Sequence, residues 1–210
     1  MGKIKKRIFA VVMITLIIFT IFSVSSCKGI IRSNTEAEEY VATLVEKSYE
    51  INVIVFGDGL PHLDEKDPEN PLYSPVIENE KYKTISDIRL AIREVYSEEY
   101  AKSLETIAFS GSPSGVEGST LFPRYITNSA GELLILTDYT ILDYESPTHG
   151  KYEGLNVQKY DTSTIEIKKI SLRFVEANIT SEDGKTTILV TLIRQEAGSD
   201  YVWRLNSATC

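Results

Sequence analysis

Hydrophobic positions follow three rhythms along this chain: a solid apolar block, then a helical repeat, then strand-like runs. Ile8 through Phe22 is apolar apart from two threonines. From Glu36 the spacing turns helical, with Tyr40, Val41, Leu44, Val45, Ser48, Ile51 and Val55 near one face and Glu38, Glu39, Glu46 and Lys47 elsewhere. Asn34 or Thr35 is positioned to cap this helix. The stretch "INVIVF" is rich in β-branched residues and by composition suits a strand. The periodic run enters it unbroken, so we read it as helix, stopped by Gly57-Asp58-Gly59.

A loop over 57–79 follows, with four of the seven prolines and no period. "Thr84-Ile85-Ser86-Asp87" approximates a capping box with Asp in place of Glu or Gln. Ile85, Ile88, Ala91, Ile92, Val95 and Tyr96 then recur at helical spacing. "Ser97-Glu98-Glu99-Tyr100" restarts a short helix carrying Leu104 and Ile107.

Beyond "SGSPSGVEGS" the runs become strands: "FPRYIT", "ELLILTDYTIL", "TSTIEIKKISLRFVEANIT" and "KTTILVTLIRQ". In the third, the inward set shifts parity from Ile165 and Ile167 to Ile170, Leu172 and Phe174, which predicts a β-bulge in one long strand. Asp183-Gly184 marks a hairpin, and a last hairpin through Ala197–Asp200 brings in "YVWRLNS". Trp203 is expected in the core, with Arg204 facing the other way. Helices followed by long antiparallel strands predict an α+β fold, with the N-terminal helices packed in a curved sheet.

The start of the chain carries its own message. "MGKIKKR" holds four positive charges ahead of the apolar block, which is the plan of a signal peptide. The alternative is an uncleaved anchor, for which the run is short of the roughly 20 apolar residues a spanning helix needs. "Val24-Ser25-Ser26-Cys27" resembles the lipobox of bacterial lipoprotein precursors. That resemblance implies cleavage after Ser26, two acyl chains on Cys27 and a domain held at the extracytoplasmic face of the cell membrane. The organisation expected is a leader over 1–26, a lipid-anchored tether over 27–35 and one α+β domain over 36–210. Cys210 is then left without an intrachain partner and is read as a terminal residue fraying in solvent.

Loss of the four leader cations leaves 18 basic against 30 acidic residues, a formal charge of −12. So acidic a surface argues against nucleic acid as a partner. Asp58, Asp64, Glu65, Asp67 and Glu69 invite a calcium reading, but their spacing is not that of an EF-hand loop, and a solvated acidic loop is preferred.

"IREVYSEEYAKSL" resembles the helix pair of cystatin-like and nuclear-transport-factor-like cone domains, and the closing "GSDYVWRLNS" is similar to their last strand. The resemblance spans roughly residues 36–207 and implies a cone with a pocket, without assigning any functional residue. Exported members of this fold group in Gram-positive bacteria include an inhibitor of cell-wall DL-endopeptidases, a fold-level analogy only.

Little in the chain suits catalysis. Its two histidines, His62 and His149, fall in loops flanked by Pro or Gly. "Gly111-Ser112-Pro113-Ser114-Gly115" has proline where a nucleophile elbow needs serine. Ligands for zinc are lacking, and neither a metal nor any other cofactor is expected. Tyrosine is abundant, and Tyr125, Tyr139, Tyr144, Tyr152 and Tyr160 cluster in the strand region, either as amphipathic contact area or as ordinary strand residues. The expected function is binding, with an envelope protein as partner. A small-ligand receptor using the cone mouth is the alternative, and a hydrolase or isomerase comes third.

Overall fold

A computed structural model describes residues 29–78, 80–111, 122–141 and 148–209. Cys27, Tyr144 and Cys210 lie outside the described residues.

Helix α1 (Asn34–Val55) is capped by Ser33, one residue before the nearer of the two expected caps, Asn34 and Thr35: its Oγ accepts the Glu36 N–H at 3.1 Å. The Glu36 carboxylate answers by taking the Arg32 N–H at 2.8 Å. The apolar face of α1 is buried as its period predicts, except that Tyr40 lies at the exposed margin. "INVIV" completes the helix, and Gly59, at φ +81°, reverses the chain.

The capping box at Thr84 and Asp87 is formed in full and starts α2 (Ile85–Val95). Ser97 caps α3 (Glu98–Ser110). Arg89 and Arg93 of α2 both pair with Glu105 of α3 and set the two helices side by side.

The strands divide into three groups. β1 (Tyr73–Pro75), drawn from the proline-rich loop, pairs with β3 (Leu133–Leu136), and β3 also pairs with β2 (Tyr125–Thr127). β4 (Asp138–Ile141) and β5 (Thr148–Lys151) form a ribbon. The run "ELLILTDYTIL" therefore serves two sheets, breaking at Thr137. β6 (Tyr160–Ile170), β7 (Phe174–Ser181), β8 (Thr187–Ala197) and β9 (Asp200–Leu205) make an antiparallel meander in chain order.

The ladder of β6 slips between Ile167 and Lys169, where the parity shift placed a bulge. The run does not stay one strand, however. Ser171 Oγ accepts the N–H groups of Arg173 and Phe174, which turns the chain back, and Leu172 stands 66% exposed at the tip instead of facing inward. The hairpins at Asp183-Gly184 and Gly198 form as expected.

The molecule is thus α+β, with its core between α1, the α2–α3 pair and the inner face of the meander: Val175, Ala177, Ile179, Val190, Leu192, Trp203 and Leu205. Arg204 points the other way and donates to the Arg93 carbonyl. Among the described residues no helix is long and apolar enough to cross a membrane.

The ends of the described chain are both tied down. Gly29 accepts the Trp203 indole N–H at 2.9 Å, and Ile31 is buried, so the tether region is docked from Gly29 onward. At the other end Thr209 is 2% exposed, and its hydroxyl bonds Asn52, Tyr96 and Ser48. Fraying therefore does not reach the residue before Cys210.

Candidate functional site: the Arg124 cleft

The stop that ends α1 also builds a binding geometry. Gly57 and Asp58 turn their carbonyls toward the guanidinium of Arg124, the residue before β2. Nη2 donates to Gly57 O at 3.0 Å and Asp58 O at 2.8 Å, and Nη1 donates to Leu136 O. The Tyr152 ring covers the guanidinium, its centroid 4.0 Å from Cζ.

Glycine is required on both sides of this centre. A Cβ on Gly59 would lie 2.3 Å from Ile135 Cδ1 and 2.6 Å from Arg124 Nη2. A Cβ on Gly154 would lie 2.2 Å from the Gly57 carbonyl oxygen. The segment after β5 can press onto the end of α1 only because neither backbone carries a side chain there.

Arg124 is 4% exposed, and among the described residues no carboxylate comes within ion-pair distance of it. Its Nε has no hydrogen-bond partner. The Nε of Arg89 also lacks a hydrogen bond, yet lies 3.1 Å from a Glu105 carboxylate oxygen, so its charge is met. Burial draws the Arg124 pKa below its ordinary value, and a guanidinium so displaced still keeps its charge. A buried cation held by neutral carbonyls and an aromatic ring, with Asp58 acting on it only beyond ion-pair distance, is uncommon, because buried charges are ordinarily paired.

This cation floors a cleft of about 260 Å³, walled by Asp58, His62, Lys66, Asp138 and Tyr152. Lys66 Nζ pairs with Asp138 at 2.8 Å and also donates to Thr137. His62 Nδ1 lies 3.2 Å from the Leu60 carbonyl. Asp58 and Asp64 make no ion pair among the described residues. The cleft loop is held in shape by Asp67, whose carboxylate takes the Glu69 and Asn70 N–H groups and the side-chain amides of Asn70 and Asn128. Those bonds, Asn128 first, hold its pKa below the usual carboxylate range. Among the described residues no group of three or more His, Cys, Asp or Glu is placed to hold a metal ion.

The chain matches no known family model and shows no significant similarity to any curated protein. Roles for these residues therefore rest on their chemistry.

Two of the five tyrosines singled out in the sequence meet at this site. Tyr152 forms a wall. Tyr125 is fully buried behind it, donating to Ile54 O at 2.9 Å and accepting from Leu60 N at 3.0 Å, and burial pushes its pKa well up. Tyr160 is 8% exposed and packs in the main core. Tyr125 and Tyr160 thus offer no contact surface, because their strands turn them inward. Tyr139 sits in β4 opposite Gly150, and Tyr144 lies outside the described residues.

Sequence reasoning missed Arg124 and Lys66 and set His62 aside as a loop residue unsuited to catalysis. Arg124 carried one signal, a cation inside the strand-like run "FPRYIT", where apolar residues belong.

A larger open groove of about 800 Å³ runs between α3 and the β8–β9 hairpin, lined by Arg93, Glu98, Lys102, Glu196, Val202 and Arg204. Its cations are partly met: Arg93 by Glu105, and Arg204 by the carbonyls of Arg93 and Trp203.

Proposed function

We propose that this protein is a lipid-anchored extracytoplasmic receptor that captures a small carboxylate-bearing ligand in the Arg124 cleft. The observation that carries the proposal is the buried guanidinium with no carboxylate partner at the floor of a cleft. A carboxylate entering there supplies the missing countercharge and a charge-assisted hydrogen bond. Lys66, already paired with Asp138, lies at the wall within reach of the ligand, and Asp58 and Asp64 favour ligands that also carry an amino group.

The lipobox-like "Val24-Ser25-Ser26-Cys27" supports the anchoring at the cell membrane. The packing of α1 against the meander supports the finer assignment of the fold to the cystatin-like and nuclear-transport-factor-like cones. An envelope protein as partner is the second reading, favoured by the open groove beside α3, which has room for an extended segment.

Titration calorimetry of the purified protein against acetate, succinate, alanine and dialanine tests the receptor. At least one is expected to bind, and Arg124→Met or Lys66→Met should abolish the heat without unfolding the chain. Silence from all four, with no anion co-purifying in native mass spectrometry, would sink the proposal. For the anchor, cells given labelled palmitate should label the wild type and not Cys27→Ala.

A further inference from the structure

From the docked N-terminal segment we infer that one end of the molecule, the foot formed by Gly29–Arg32, the start of α1 and the β8–β9 turn, rests directly on the lipid bilayer, with the Arg124 cleft at the opposite end. This inference rests on Cys27 carrying the lipid.

Only Lys28 stands between Cys27 and Gly29. Two extended residues span about 7 Å. Gly29 is already part of the rigid body: its carbonyl takes the Trp203 indole N–H at 2.9 Å, and a Cβ on it would lie 2.7 Å from the Tyr201 carbonyl oxygen. Its φ of +80° is one that glycine adopts without strain. Ile31 is buried immediately after it, and Ser33 begins the cap of α1. With no free tether left, the surface around Gly29 cannot stand away from the acyl chains.

The foot suits a bilayer. Tyr201 is 43% exposed there, an aromatic of the kind enriched at membrane interfaces, and the Arg194 guanidinium lies over its ring at 4.1 Å. Arg32, in the segment that follows Gly29, is exposed. Arg32 and Arg194 stand against Glu36, Glu196 and Asp200, so the foot is only mildly acidic on a strongly acidic body. The exposed flank of α1 carries Glu39 and Glu46 against Lys47, which disfavours laying the helix along an anionic leaflet. The 22 residues of α1 at 1.5 Å each separate its ends by about 33 Å, and the cleft is built on its C-terminal end. The cleft therefore lies at the end of the molecule far from the membrane.

The test uses the full lipidated chain in vesicles of phosphatidylcholine and phosphatidylglycerol that contain brominated lipid. In a Cys210→Ser background, a fluorophore on Ser199→Cys reports the foot and one on Glu65→Cys reports the cleft rim. Quenching several-fold stronger at position 199 than at 65 is expected, and Trp203→Phe, which releases the Gly29 clamp, should bring the two together. Equal quenching in a protein whose mass shows diacylglyceryl on Cys27 would overturn the mounting alone. An unmodified Cys27 by mass would overturn the anchor and the mounting with it. A ratio unchanged by Trp203→Phe would remove the clamp as its cause.

Discussion

Two buried polar clusters lie along α1, and they are built on opposite plans. On its inner flank, Ser48, Asn52, Tyr96 and Thr209 form a neutral network in which each of the four side chains has a partner: Tyr96 OH donates to Asn52 at 2.9 Å, Asn52 to Thr209 at 2.9 Å, and Thr209 to Ser48 at 2.8 Å. Beyond its C-terminus, Arg124 brings a full charge into the interior and leaves Nε without a partner. A satisfied neutral network costs little to bury and fixes how the C-terminal segment docks. An incompletely satisfied charge costs stability until something else completes it, and that is the signature of a site.

Breaking the scaffold of the charged cluster should have the largest effect. Gly154→Ala drives a methyl into the Gly57 carbonyl, and a loss of about 3 kcal/mol in urea unfolding is expected. Next comes the neutral network: Asn52→Ala removes the buried amide that Tyr96 and Thr209 share and should cost about 2 kcal/mol. Arg124→Met should cost less, about 1 kcal/mol, since three orphaned carbonyls are offset by removal of an unpaired buried charge. Its binding, by contrast, should vanish. Opposite rankings of these two variants in stability and in binding sharpen the comparison; equal behaviour would erase it.

Tyr152→Leu removes the ring over Arg124 and should lower stability by about 0.5–1 kcal/mol while weakening binding. The smallest effect is acid sensitivity. Asp67, Asp87 and Asp183 have pKa values below the ordinary 3.8, Asp183 at about 2, through hydrogen bonds made in the fold. Their contributions are complete at neutral pH and fade as pH falls through the ordinary value toward each folded one. The urea midpoint should therefore decline between about pH 5 and pH 2, less so in Asp183→Asn.

Elements governed by neighbours in the chain were legible in advance. The Thr84–Asp87 box, the Ser97 cap, the Asp183-Gly184 turn and the slip at Ile167 each depend on a few adjacent residues. The helix over "INVIV" was legible too, because its period continued from α1. Less legible was the fate of "KISLRF". Parity signals a break in alternation but does not distinguish a bulge from a reversal, and here a slip at Ile167–Lys169 and a reversal at Ser171 follow one another closely.

The candidate site divides the same way. Sequence alone determined the alternation of helices and strands, the acidic body, the glycine stop after α1 and the lipobox-like stretch before Gly29. Only the tertiary structure decided that Tyr125 and Tyr160 are core while Tyr152 is a wall, and that Arg124 is the centre. The partners of Arg124 at Gly57 lie 67 residues away and are backbone carbonyls, which every residue possesses and no side-chain pattern can announce. Burial of a charge is a property of the packed whole, fixed when sheet, loop and helix end close around it.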